Sequence, residues 1–155
     1  LLPGERVLTN KAPYLLWPRG DERDEAFLLG VLCSMPLDWY ARRVVEVSVN
    51  FHLFNGFPVP DPGRENPIRR RVEEVAGRLA AADDSFRWWA DEVQVPVGSV
   101  TAAAKPELLA ELDAAVALLY GLGETDLTVI YDTFHEGADY TQHRDRVLAH
   151  YRRLS

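Results

Sequence analysis

Between residues 105 and 120 the apolar side chains Leu108, Leu109, Leu112, Val116 and Leu119 recur at the three- and four-residue spacing of a single helical stripe, and Gly121 closes the run. A periodic segment of this length is too long for an ordinary strand, and its ridge has to be covered, by this chain or by a partner. Most of the remaining sequence supplies further helices. A helix is expected over 24–34, with Asp24 as its N-cap and Phe27, Leu28, Val31, Leu32 and Met35 as its stripe. Pro36 breaks that pattern and fits best in the first turn of a new helix, running to about residue 47 and carrying Trp39, Tyr40, Arg43, Val44 and Val47 on one side. Asn66 followed by Pro67 opens another through about residue 82. A short helix over 85–92, one starting after Thr125, and a last one from Tyr140 or Thr141 to Leu154 complete the set.

Three segments read instead as strands. Residues 5–8 and 14–16 form two short extended pieces, and residues 48–60 pair Phe51, Leu53, Phe54, Phe57 and Val59 with a tight Asn55-Gly56 turn. The expected class is therefore α+β, mostly helical, with a small N-terminal strand-containing part. The Pro- and Gly-rich stretch around Asp61-Pro62-Gly63 divides it into residues 1–63 and a helical region, 64–155, packed on the first.

The 155 residues carry 17 basic and 24 acidic side chains, a formal charge of −7. Residues 1–80 hold 11 of each sign, whereas residues 81–155 hold 6 basic and 13 acidic, so any phosphate-facing surface belongs to the first half. There the candidates are Arg42, at the end of an aromatic-rich helix, and the run Arg69, Arg70 and Arg71, since a guanidinium fork suits phosphate oxygens and guanine edges. The competing reading pairs these arginines with Glu46, Glu73 and Glu74 at local helical spacing.

Chemistry that needs converging groups finds little support. His52, His135, His143 and His150 are scattered, HExxH is absent, and neither GxxxxGK[ST], GxGxxG nor GxSxG occurs, so no catalytic, metal or cofactor residue is expected in this chain. The single cysteine, Cys33, reads as a small core residue compatible with a reducing compartment. No stretch reaches the roughly 20 apolar residues of a membrane span, and a cytoplasmic location is expected. The opening Leu1-Leu2-Pro3-Gly4 reads as the start of a fragment.

The run FLLGVLCSMPLDWYARR at residues 27–43, NFHLFNGFPVP at 50–60, and LDAAVALLYGL at 112–122 with Asp126-Leu127 and Ile130-Tyr131-Asp132-Thr133-Phe134 resemble the C-terminal target-recognition region of restriction-modification adenine-N6 DNA methyltransferases, including fused restriction enzyme–methylase proteins. With their linkers these blocks cover most of residues 5–134. The resemblance implies a parent that binds duplex DNA and uses S-adenosylmethionine in an upstream methyltransferase domain, a nuclease being fused in some relatives. This chain lacks the family's glycine-containing cofactor loop, and its one Asn-Pro step, Asn66-Pro67, continues with Ile68-Arg69 rather than the Pro-Tyr of the family's catalytic motif. It would then help position DNA without a catalytic centre of its own. The alternative, motivated by the net charge and the 108–119 ridge, is a helical protein–protein interaction module that does not touch DNA.

Overall fold

The computed structural model of the chain describes residues 19–46 and 51–155, the side chain of Phe51 excepted. The expected extended pieces at 5–8 and 14–16, and the end of the second helix at residue 47, lie outside the described residues.

Every regular element among the described residues is helical: α1 (Glu22–Leu32), α2 (Met35–Val44), α3 (Phe51–Phe54), α4 (Pro67–Ala80), a 3-10 turn (Asp84–Phe86), α5 (Arg87–Val93), α6 (Lys105–Leu119), α7 (Glu124–Asp132) and α8 (Thr141–Leu154). The α+β class is thereby corrected, because no strand occurs among these residues. The segment expected to pair as a hairpin around Asn55-Gly56 begins instead with the single turn α3. Its amides close local bonds, Gly56 N–H to the Leu53 carbonyl and Phe57 N–H to the Phe54 carbonyl, each at 3.1 Å. An isolated two-stranded hairpin is marginal at best, whereas here Phe57 packs edge-on against Tyr40 and beside Phe54.

The helix boundaries follow from the caps. Asp21, rather than Asp24, caps α1, and Asp24 at the third position bonds back to the Asp21 amide, a reciprocal capping box. Ser34 precedes α2 with Pro36 in its first turn. Asn66 accepts from the amides of Ile68 and Arg69 to open α4. Gly121, at φ +69, lets the chain leave α6.

α6 is central because it is apolar on two sides. Leu112 and Val116 meet Phe27 and Val31 of α1 and Val72 and Val75 of α4, while Ala110, Ala114 and Ala117 give a smooth opposite face to Leu127 and Tyr131 of α7 and Val147 of α8. Of the ridge read from the sequence, Leu112 and Val116 are buried by this chain, whereas Leu108, Leu109 and Leu119 stay half-buried. The first of these clusters also joins residues on both sides of position 63. A smaller cluster seals α5 through Trp89, whose indole N–H donates to Glu25 on α1 at 3.1 Å.

Close approach of α1 to α4 depends on Gly30. A Cβ there would lie 2.6 Å from Val72 Cγ1, 3.1 Å from Ala76 Cβ and 3.2 Å from Leu112 Cδ1. In an exposed helix Gly→Ala gains up to about 1 kcal/mol from propensity. Here Gly30→Ala is expected to reverse that sign and lower stability by about 1–3 kcal/mol in urea unfolding, from overpacking; a gain would show that α1 and α4 are not so closely apposed.

Candidate functional site

The arginines singled out from the sequence separate into two kinds. Arg69 is only 7% exposed. Its Nε donates to Glu73 Oε1 at 2.8 Å, one Nη donates to Asp24 of α1, the other reaches the Pro62 carbonyl at 3.2 Å, and the guanidinium lies 4.6 Å above the Phe27 ring. Glu73 is equally enclosed, and its second oxygen takes Nε and Nη2 of Arg23 at 2.9 and 2.7 Å. Arg64 completes the group by bridging Asp21 and Asp24. Three guanidiniums and three carboxylates thus clamp α1 to α4 and to the loop before it.

Arg71 performs the same service between α4 and α6. It holds Glu111 through two parallel bonds, Nε to Oε1 at 2.9 Å and Nη2 to Oε2 at 2.7 Å, and spends its remaining nitrogen on Glu74 at 2.6 Å. Glu111 also accepts from Arg153 of α8 at 2.8 Å, and that guanidinium touches His150, whose other ring nitrogen faces Glu107 at 3.1 Å. Burial raises the Glu111 carboxyl, but the Arg71 guanidinium, then Arg153 and His150, more than offset this, so it sits below the usual carboxylate range.

Arg42 and Arg70 are different. Arg42 lies on the surface with Asp38 at 3.1 Å and its guanidinium 4.7 Å from the Phe134 ring; Arg70 pairs with the exposed Glu65. Such exposed pairs are individually weak. Arg43 has no carboxylate partner among the described residues; it stacks 3.5 Å over Trp39 and donates to the Trp39 and Thr133 carbonyls.

A further polar node was missed by sequence reasoning. Asp113 is buried in the middle of α6, where it accepts from the Met35 amide at 2.8 Å, the Tyr131 hydroxyl at 2.9 Å and His143 Nε2 at 2.8 Å. It therefore serves as the missing cap of α2, whose own Ser34 makes no side-chain cap bond and instead donates to the Val31 carbonyl. Burial, reinforced by the adjacent Asp113 charge, pushes the Tyr131 phenol far above the ordinary tyrosine range, so it stays a proton donor. No group of three or more His, Cys, Asp or Glu among the described residues is placed to hold a metal ion. Nor is any helix among them long and apolar enough to cross a membrane.

One concave feature opens where α1, α4 and α6 diverge. The groove, of about 320 Å³, is lined by Leu29 and Gly30 of α1, Ala76 and Leu79 of α4, Leu109 and Leu112 of α6, and Phe86. Lys105 is the charged residue in its lining. Cys33, expected in the core, is exposed at the rim, although the surrounding protein desolvates its thiol enough to push it up. No family model, curated protein or solved structure matches the chain.

The depressed Glu111 carboxyl fixes a pH dependence. Its ion pairs contribute fully above the unfolded carboxylate value of about 4.3 and are lost as pH falls through the lower folded value. Urea midpoints followed from pH 7 downward should fall with acidification, and Glu111→Gln should flatten that fall while lowering the pH 7 midpoint; an unchanged acid slope would show that the Arg71 pair is not formed in solution.

Proposed function

We propose that this chain is a helical protein–protein interaction module that does not contact DNA. The observation that carries the reading is the use of Arg69 and Arg71, the inner members of the only arginine triplet, as internal staples: their donors already meet carboxylates of α1, α4 and α6. A guanidinium at 7% exposure would have to leave two carboxylates and a carbonyl before meeting a phosphate, leaving the buried Glu73 with Arg23 as its one remaining cation among the described residues. The basic side chains of α8 are committed in the same way, Arg144 to Asp132, Arg146 to Glu107, Arg152 to Glu124 and Arg153 to Glu111. With a formal charge of −7, the long-range field repels a polyanion and favours a partner with a basic surface.

Exposed aromatic and aliphatic groups support a protein partner. Tyr40 and Val44, one turn apart on α2, are each 37% exposed, and Tyr40 meets the half-buried Phe57, which in turn meets Phe54. Exposed aromatic clusters of this kind are characteristic of protein interfaces.

The test is fluorescence anisotropy with mixed-sequence 30-base-pair duplex DNA at low and physiological salt. Non-specific DNA binders fall at roughly 10⁻⁴–10⁻⁶ M at physiological salt; this chain is expected to show no saturable association in that range. Micromolar binding that weakens with salt, and weakens further in Arg42→Ala/Arg70→Ala, whose exposed pairs the fold does not need, would overturn the proposal. It would favour instead the target-recognition role that the resemblance to adenine methyltransferases implies.

A further inference from the structure

We propose that the groove between α1, α4 and α6 binds a single-chain amphipathic anion, its apolar tail between Leu29, Leu79 and Leu109 and its acidic head on Lys105 Nζ. Shape gives the first part of the argument. At about 320 Å³ the space lies at the lower end of the range of small-molecule sites and has room for roughly ten groups the size of a water or a methylene. Apart from Cys33 and Lys105, the side chains that line it are Leu, Ala, Gly and Phe, so a tail without polar atoms meets chiefly apolar side chains on entry.

Charge gives the second. Lys105 and Leu109 stand one turn apart on α6, so the cation and the apolar wall belong to the same face. On the neighbouring helices Arg23, Arg69 and Arg71 are held by carboxylates and Arg78 donates to the Gly98 carbonyl, whereas Lys105 has no acidic partner among the described residues, in a chain where acids outnumber bases by 24 to 17. The one acid on the same first turn, Glu107, is held on the other side by Arg146 and His150. One unpaired cation at the mouth of an otherwise apolar groove complements a ligand with one acidic head and one apolar tail. It does not complement a polyanion or a fully apolar ligand.

This inference does not depend on whether the chain binds a protein partner. The probe is sodium decanoate, with decyltrimethylammonium as the same tail under opposite charge, titrated calorimetrically against the whole chain below the micelle-forming concentration of each. Expected is saturable one-to-one binding of decanoate, weaker or absent binding of the cation, and slower alkylation of Cys33, the only cysteine, by iodoacetamide when decanoate is bound. Lys105→Glu, an exposed change that leaves the core alone, should weaken decanoate about fivefold, as loss of one partly screened ion pair implies. No decanoate binding, equal binding of both amphiphiles, or binding that leaves Cys33 alkylation unchanged would each overturn the proposal. So would protection of Cys33 that rises with protein concentration alone, which would place a second copy of the chain in the groove.

Discussion

The buried guanidinium of Arg69, held between Glu73 and Asp24, is the interaction on which the packing of α1 against α4 depends. Desolvating a charge is costly, and an ion pair in an interior often contributes little more than an apolar pair of the same shape. What makes it consequential is the asymmetry on breaking it: removal of one partner leaves the other charge buried and unmatched, a cost of about 3–5 kcal/mol. Arg69, Glu73 and Asp24 are each shared, with Arg23 and Arg64 closing the circuit, so both anions stay matched only while α1 and α4 keep one register. Arg71 and Glu111 then set α6 against α4 in the same manner, and Asp113, on the far side of α6, fixes where α2 may begin. Among the described residues no buried side-chain nitrogen or oxygen lacks a partner, as so polar an interior requires.

This lattice decides what the surface can offer. Guanidiniums that would otherwise form a basic stripe along α4 are turned inward or neutralised, and the outward face of the molecule keeps its acidic excess together with apolar features: Tyr40 and Val44 on α2, and the groove near Lys105. The same pairs that stabilise helix packing therefore remove the usual electrostatic basis for nucleic-acid affinity. Under the function proposed above, association rests on apolar contact, with charge selecting the partner.

The helices were readable in the sequence because their signals are local. Asn66-Pro67 marks the start of α4, the Pro36 interruption marks α2, and Gly121 marks the end of α6. The segment over 51–60 was misread because Phe51, Leu53, Phe54 and Phe57 around Asn-Gly suit either a hairpin or a helical turn, and the choice rests on whether a partner strand exists. Of the arginine contacts, Arg69–Glu73 and Arg71–Glu74 stand at helical spacing and were legible as the competing reading. Asp24 and Glu111 lie 45 and 40 residues away from their arginines, and no local rule reaches them. Asp113 and the groove were invisible for the same reason: both exist only once α1, α4, α6, α7 and α8 meet.

A double-mutant cycle on Arg69 and Glu73 addresses the lattice itself, using Arg69→Met, Glu73→Gln and the combined variant in urea unfolding at neutral pH. Each single change is expected to be strongly destabilising, and the double variant to recover part of the loss, giving a coupling of about 1–3 kcal/mol. Singles within about 0.5 kcal/mol of wild type, with coupling below about 0.3 kcal/mol, would mean that the two side chains are solvated and independent, and that Arg69 is free to serve another ligand.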